Sequence, residues 1–362
     1  MNFPTKYSEI LERIKEIDPI KYGQTRNHLN GAVTYLSPYI SRGVISTKLV
    51  LDAVLAKGYP IEEIESLVKE LSWRDYFQRL GQVRNLDNDI KFPQSDVERL
   101  EIPLAVVNAE SGIHAIDQAI EDFYANGYMH NHMRMYTAAL VTNIGKSHWL
   151  LPSKWMYFHL LDGDWASNRC SWQWVCGANA PKVYYANQEN INKYTGSVQK
   201  GTPLDTTYEE LSQLHIACTW VHPKSTFFPE VAGIDNFQAE LPTLLYTPYH
   251  LDPNWRKEEE ANRILFWDLE QWQDYPFNEN IFNWINELAH VQIPDLQVVV
   301  GDWKSIQQTL DLNRVFTKEH PLTANYGIHQ DPRDWLWPQG NELLGSFFNY
   351  WKKVQKHLRR EN

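Results

Sequence analysis

Apolar residues recur at helical spacing through most of the first 160 residues, where few segments alternate as a strand requires. The first stripe is formed by Ile10, Leu11, Ile14 and Ile17, with Ser8 as a candidate N-cap. Stripes of this kind cover residues 7–17, 44–57, 61–81, 114–125, 131–146 and, after Pro152, about 153–161. The first part of the chain is therefore predicted to be mainly α.

The sequence pattern changes after Gly201-Thr202-Pro203, and prolines recur through residues 223–253. Arg263–Asp268 and Leu296–Val300 are predicted to be short buried strands, with a helix at Ile281–Ala289 between them, which is typical of a β-α-β unit. A final helix is predicted over Gly340–Leu358. We expect a mainly α protein with a helical domain over residues 1–205 and a smaller α/β region over 206–362.

The net charge of −11 is unevenly distributed along the chain. Residues 1–200 carry a net charge of −1 and the remainder carries −10. Bulk charge gives no support to a nucleic-acid-binding protein, but it leaves room for a local basic groove in the first part. The acidic second part is a candidate surface for a protein partner.

Several classes are disfavoured by the sequence. The start lacks the apolar core of a signal peptide, and no run approaches the length of a membrane span, so the cytosol is the expected compartment. The three cysteines lack C-x-x-C spacing, and His130 and His132 would face opposite sides of a helix, so no metal is expected. Gly145-Lys146-Ser147 lacks the first glycine of a P-loop.

The candidate catalytic and binding residues are concentrated in four segments, which begin at Tyr22, Glu70, Met129 and Asp162. Glu70 and Arg74 are spaced i, i+4 on one helix, and Asn131 and Arg134 are spaced i, i+3 on another. Asp162 and Asp164 flank a glycine after an apolar helix. Residue types alone favour structural ion pairs in a helical core, because a buried arginine needs a partner.

The order and spacing of four motifs resemble the FAD-binding domain of the DNA photolyase/cryptochrome family. These motifs are TYLSPY from Thr34, ELSWRDYF from Glu70, MHNHMRM from Met129 and DGDWASNRCSWQW from Asp162. The resemblance covers about residues 5–200. It implies an all-helical domain that holds FAD in a bent conformation. The α/β antenna domain that precedes this domain in the family is not expected, since only about 20 residues precede the first motif.

The resemblance implies a set of cofactor contacts. Tyr22, Thr34 and Ser37 match hydroxyl groups at the phosphates and ribitol, and Arg74 matches another cofactor contact. Arg134 and Asp162 match a charge pair beside the flavin. Asp164 matches a ribose or ring contact, Asn131 a further cofactor contact, and Asn168 the amide that faces the reactive nitrogen. A neutral amide at Asn168 favours photolyase behaviour over that of plant cryptochromes.

The resemblance also implies a pocket for a cyclobutane pyrimidine dimer in damaged DNA. Glu70 and Asn131 match its polar groups, Trp73, Met135 and Trp174 its apolar walls, and Arg26 a contact near the lesion. Excited reduced flavin would split the dimer by electron transfer. Asn131 and Met135 stand where relatives that repair (6-4) lesions carry histidines.

Trp172 and Trp149 match the first two members of a tryptophan chain that photoreduces FAD, with core packing as the alternative for each. No tryptophan lies between Trp73 and Trp149, so the outer end of the chain must use a tyrosine, take another route or be missing. Tyr35 and His132 replace arginines of the family pattern, which weakens the interpretation as a DNA-repair enzyme. A cryptochrome-like photosensor or flavin redox protein, and a helical scaffold without cofactor, are the competing hypotheses.

Overall fold

The structure is a computed structural model that describes residues 2–214, 216, 218–225, 227–338 and 345–361. Helices account for most of the regular structure before residue 212, as the periodicity predicts. The helices are α1 Tyr7–Lys15, α2 Pro19–Thr25, α3 Ser37–Ser41, α4 Thr47–Leu55, α5 Glu65–Val83, α6 Leu104–Val107, α7 His114–Asn126, α8 Asn131–Ala139, α9 Leu150–His159, α10 Trp165–Val175, α11 Gln188–Thr195, α12 Tyr208–Leu211, α13 Leu269–Asp274, α14 Glu279–Gln292, α15 Trp303–Ile306 and α16 Phe347–Glu361.

The strands are short and lie mostly in the last third of the chain. They are β1 Ile102–Pro103, β2 Trp220–Val221, β3 Thr243–Tyr246, β4 Asn262–Asp268, β5 Leu296–Gly301, β6 Val315–Lys318 and β7 His329–Asp331. β3 to β7 form a parallel five-stranded sheet in the order β5-β4-β3-β6-β7. The prediction of a mainly α protein with a smaller α/β region is confirmed.

The chain folds into two compact units. One, the sheet unit, contains residues up to Pro19, Thr34–Val83 and the chain from Ser225 onward. The other, the helical unit, contains Ile20–Val33 and Arg84–Lys224. This division differs from the predicted boundary at residue 205, because the early helices α1, α3, α4 and α5 pack in the same unit as the sheet.

In the sheet unit, strand β4 is buried along its whole length, as a central parallel strand must be. Side chains of β3 to β6 pack with Trp303, Leu310 and Tyr326 from the segments that follow β5 and β6. The core consists of Leu245, Ile264, Phe266, Val299, Trp303, Leu310, Val315 and Tyr326. Helix α14 connects β4 to β5, which confirms the predicted β-α-β unit. The predicted last helix begins later than expected, at Phe347, and residues 340–344 lie outside the described part of the chain.

In the helical unit, one apolar core extends over helices α7 to α11. Helix α7 ends at Asn126 and is capped by Gly127, whose φ of +67° is the left-handed conformation that ends many helices and that glycine adopts without strain. Helix α8 continues into a single π-helical turn, Leu140–Ile144. Within the described residues, no helix combines the length and apolarity that spanning a membrane requires. This core supports the segments that carry most of the candidate site.

Candidate functional site

The Asp162-Gly163-Asp164 segment connects α9 to α10 and carries two buried carboxylates. A Cβ at Gly163 would lie 3.0 Å from the carbonyl oxygens of both Leu160 and Tyr157, so a larger residue would force the turn to shift. The glycine lets the chain turn tightly at the end of α9. The two carboxylates are thereby held at the start of α10.

Arg134 on α8 pairs with Asp162. Its Nη2 atom donates to both carboxylate oxygens, at 3.0 and 2.9 Å, and its Nε donates to the carbonyl of Met129 at 2.7 Å. The Arg134 side chain remains 21% exposed, whereas that of Asp162 is 5% exposed. The predicted charge pair therefore forms in the helical unit and keeps part of its cationic face accessible.

Helix α10 presents the next predicted residues. Asp164 is the N-cap, accepting a 2.7 Å hydrogen bond from the Ser167 amide, and so has a structural role besides any contact with a ligand. One turn further along α10, the side-chain amide nitrogen of Asn168 donates to the carbonyl of Ser153 at 2.7 Å. This bond fixes the orientation of the amide, and the amide oxygen takes no part in it. The buried Ser167 hydroxyl has no hydrogen-bond partner among the described residues.

Asn131 and Met135 lie one turn apart on α8. Asn131 is the exposed first residue of the helix, and Met135 is half-buried against the core. His130 caps the helix through its ring, which accepts from the His132 amide at 3.2 Å. Burial, and then the charges of His132 and Arg134, lower the pKa of His130 to about 4, so this ring adds no cation beside Arg134 at neutral pH.

Tyr22 and Arg26 lie together at the end of α2. The Arg26 amide donates to the carbonyl of Tyr22 at 2.9 Å, and its guanidinium lies 5.9 Å from the centroid of the Tyr22 ring. Both side chains are half-buried in the helical unit. Their roles at phosphate and lesion stay predictions.

The sheet unit carries the remaining cofactor contacts that the resemblance implies. Ser37 begins α3, and Arg74 on α5 reaches the other end of the same helix through Ser41 Oγ at 3.3 Å and the Ile40 carbonyl at 3.4 Å. Between Thr34 and Ser37 the chain passes through Tyr35 at a φ of +52°, a conformation that non-glycine residues rarely adopt. Arg74 and the Thr34–Ser37 segment are thus coupled through α3.

Glu70 and Trp73 are half-buried residues of α5. The indole of Trp73 stacks on the ring of Phe347, the first residue of α16, with centroids 3.5 Å apart. One face of this predicted pocket wall is therefore covered within its own unit. Nothing in the sequence pattern indicates this contact between residues so far apart.

The three tryptophans predicted in the helical unit differ in exposure. Trp149 and Trp172 are buried in one apolar core. Trp174 is 38% exposed and lies beside Tyr184, with ring centroids 5.7 Å apart. The sequence interpretation did not identify Asp89, which accepts a hydrogen bond from the Trp149 indole.

Part of the chain is similar to known proteins. Residues 67–206 match the family model described as the FAD binding domain of DNA photolyase. A deoxyribodipyrimidine photo-lyase of Thermus thermophilus is 32% identical over 177 residues, which are 46% of this chain and 40% of that protein. A cryptochrome DASH of Gloeobacter violaceus is 28% identical over 174 residues, which are 43% of this chain and 33% of that protein.

A crystal structure of a bacterial class III photolyase from Agrobacterium tumefaciens aligns with a TM-score of 0.42 and 22% identity, covering 53% of this chain and 43% of that one. The chain thus spans less than half the length of these relatives. Residues 67–206 form a FAD-binding domain of the DNA photolyase and cryptochrome family, and the resemblance stated from the motifs is confirmed. FAD is the cofactor of this domain.

The side chains of the helical unit fit such a cofactor. Arg134 offers a cationic group whose charge is balanced by Asp162, so the pair carries no net charge. Asn168 offers a neutral amide held in a fixed orientation. The Ser167 hydroxyl is a buried polar group for which the described residues offer no partner, as expected where a ligand supplies one. These groups can bind a ring system that gains negative charge when it is reduced.

Proposed function

We propose that this chain is a light-driven, FAD-dependent flavoprotein that splits cyclobutane pyrimidine dimers in DNA, a deoxyribodipyrimidine photo-lyase. The observation that carries the proposal is the Arg134–Asp162 pair, with both carboxylate oxygens within 3.0 Å of one guanidinium nitrogen. A partly exposed arginine whose charge is balanced by a buried carboxylate favours an anion that forms and disappears during a reaction cycle.

In this proposal the residues that match the family's cofactor contacts bind and orient FAD. Tyr22, Thr34 and Ser37 hold the diphosphate and ribitol with Arg74, and Asp164 and Asn131 contact ribose or ring. Asn168 faces the reactive nitrogen with an amide that cannot release a proton as a carboxylic acid would. When bound and reduced, FAD supplies the light-excited electron; Arg134 and Asp162 stabilise the charge that remains.

The lesion in this proposal is bound by side chains on α2, α5, α8 and α10. Glu70 and Asn131 hydrogen-bond the dimer, Trp73, Met135 and Trp174 contact its apolar faces, and Arg26 makes a contact near the lesion. The dimer has to leave the duplex to reach them, and its broken stacking lowers the cost of flipping it out. The relatives named deoxyribodipyrimidine photo-lyase support this assignment.

The test is illumination of the reduced protein with an oligonucleotide that contains a cyclobutane dimer. Repair predicts light-dependent loss of the dimer with no loss in darkness. Asn131→Ala, an exposed position whose change should leave the fold intact, should lower the repair yield at least about 10-fold if the amide bonds the lesion. Full retention of dimers under light by the wild-type protein would exclude this function.

A second candidate is a cryptochrome-like photosensor or flavin redox protein that acts through a protein partner. It is favoured by the Trp73–Phe347 stack, which covers one face of the predicted lesion wall, and by relatives named cryptochrome DASH. The partner surface would lie on the acidic C-terminal region. Light-dependent flavin reduction without dimer loss, together with the absence of salt-sensitive DNA binding, would support this alternative.

A further inference from the structure

The indole of Trp149 carries a buried N–H group that bonds to a surface carboxylate. Trp149 is 0% exposed, and its Nε1 donates to Asp89 Oδ1 at 2.7 Å. Asp89 itself is exposed to solvent. A hydrogen bond to an ionised acceptor is shorter and stronger than one between neutral groups. This contact joins the interior of the helical unit to its surface.

The loop that carries Asp89 is held by a side chain adjacent to the other predicted chain tryptophan. Gln173, which follows Trp172, is fully buried and makes three hydrogen bonds to the loop. These bonds run to the Leu86 and Asn88 carbonyls at 3.0 and 3.1 Å and from the Ile90 amide at 2.8 Å. The position of Asp89 is therefore fixed by α10.

A second set of contacts ties the same loop to the start of α9. The Trp149 amide donates to the Gln94 side-chain oxygen at 2.9 Å, and the Gln94 side-chain nitrogen donates to the Ser147 carbonyl at 2.9 Å. The backbone N–H of Gln94 also donates to Asp89 Oδ2 at 3.4 Å. Asp89 and Trp149 are thus held together from both sides.

The nearby carboxylate of Asp87 pairs with a different residue. Asp87 accepts a 2.7 Å hydrogen bond from the buried guanidinium of Arg169. His148, whose ring centroid lies 5.5 Å from that of Trp149, has a pKa that is lowered by burial and raised in smaller part by the Asp89 charge. Asp89 is the carboxylate that contacts the indole, and its exposed side chain gives the proton access to water.

We infer that Asp89 is the proton acceptor for Trp149 during photoreduction of the flavin, an inference that rests on the proposed function. An indole that has lost one electron is a far stronger acid at its N–H than neutral indole. In the FAD-loaded protein, the excited flavin would be the oxidant that takes one electron from Trp149 by way of Trp172. The Trp149 Nε1–H bond then breaks, an O–H bond forms on Asp89, and that proton passes to water.

A neutral tryptophan radical without its proton cannot take the electron back as readily as the cation can, so the charge separation lasts longer. A thiol in solution then returns one electron and one proton to Trp149. This accounts for a chain that lacks a tryptophan between Trp73 and Trp149: the electron path ends at a buried indole because a carboxylate removes its proton. Asp89 acts through Trp149 and is a positioning and proton-accepting residue.

The experiment compares Asp89→Asn, Asp89→Glu and the wild-type flavoprotein by flash photolysis, which distinguishes the protonated from the neutral tryptophan radical. Asparagine keeps an acceptor oxygen for the indole but has no basic carboxylate, so deprotonation should slow by about 100-fold. Glutamate should restore it. The indole ¹⁵N–H resonance of Trp149 should remain hydrogen-bonded in both variants, which shows that the loop has kept its fold.

Two controls make the result specific. Trp149→Phe should remove the long-lived neutral radical of Trp149, and Asp96→Asn removes an exposed negative charge of the same segment at a position whose φ of +53° asparagine tolerates. In a second arm, a photogenerated ruthenium(III) complex oxidises the protein without exciting the flavin, so Trp149 is tested even if photoreduction fails. Neutral radical formation at the wild-type rate in Asp89→Asn would overturn the inference, whereas flavin bleaching on the same samples reports separately on the proposed function.

Discussion

Trp73 and Phe347 stack ring on ring, with centroids 3.5 Å apart and planes within 9° of each other. Tyr76 completes the contact, its ring centroid lying 5.9 Å from that of Phe347. This cluster fastens α16 to α5 within the sheet unit. It also supports the indole that is proposed to contact the lesion.

Phe347→Ala should destabilise the protein by about 3 kcal/mol, because it removes a buried ring and leaves a cavity against Trp73. Denaturant unfolding followed by tryptophan fluorescence measures the change. Phe348→Ala is the matched control, since that ring is 66% exposed and its loss should cost less than about 0.5 kcal/mol. Equal effects of the two substitutions would contradict the packing role of Phe347.

Asp162→Asn should weaken both folding and flavin retention. The substitution leaves the Arg134 guanidinium without its balancing charge in a half-buried position, which we expect to cost about 2–4 kcal/mol. Thermal unfolding measures the first effect, and the flavin-to-protein absorbance ratio of purified material measures the second. Asp52→Asn breaks the exposed Lys48–Asp52 pair and should cost less than about 1 kcal/mol.

Local pattern predicted the helices well because each one buries a stripe of its own residues. The predicted helix over 114–125 corresponds to α7, His114–Asn126, and the RILFWD segment is strand β4. Strand β7 escaped prediction because His329–Asp331 is three polar residues long and is defined only by pairing with its neighbour.

The candidate site shows the same limit. The motifs indicated Arg134 and Asp162 as a pair, and the structure brings them together. The contacts of Asp89 with Trp149 and of Phe347 with Trp73 join residues 60 and 274 positions apart. No periodicity or motif spacing encodes such pairs, since they depend on how separate elements pack.

Gly43→Ala should be among the most destabilising single-methyl changes in the sheet unit. Gly43 has a φ of +63°, and an added Cβ would lie 2.5 Å from the Tyr249 carbonyl oxygen. The neighbouring Arg42 is fully buried and donates to the Pro248 carbonyl at 3.1 Å, so this turn cannot easily move away.

Gly58→Ala is the control for Gly43→Ala. Gly58 also has a positive φ, +85°, but an added Cβ would have nothing within 4 Å. It should cost about 1–2 kcal/mol from backbone strain alone, and Gly43→Ala should cost at least about 2 kcal/mol more. Similar melting temperatures for the two variants would show that the turn yields to the methyl group.

Acid should destabilise the helical unit through histidines that are buried or half-buried, of which the half-buried His159 is the simplest case. Burial lowers the pKa of His159 from its usual 6.5 to about 4, and its ring packs against Phe123 and Tyr124 with centroids 5.5 and 4.7 Å away. Between these pH values the unfolded chain binds the proton and the folded chain does not. The contribution is therefore complete above about pH 6.5 and is lost as the pH falls toward 4.

His159→Phe keeps an aromatic ring in the same apolar contacts and removes the titration. The variant should lose stability less steeply than the wild-type protein as the pH falls from 6.5 to 4, by on the order of 1 kcal/mol per pH unit. It should not become pH-independent, because burial also lowers the pKa values of His130 and His132 to about 4. Denaturant unfolding at a series of pH values gives both slopes, and parallel curves would mean that folding does not lower the pKa of His159.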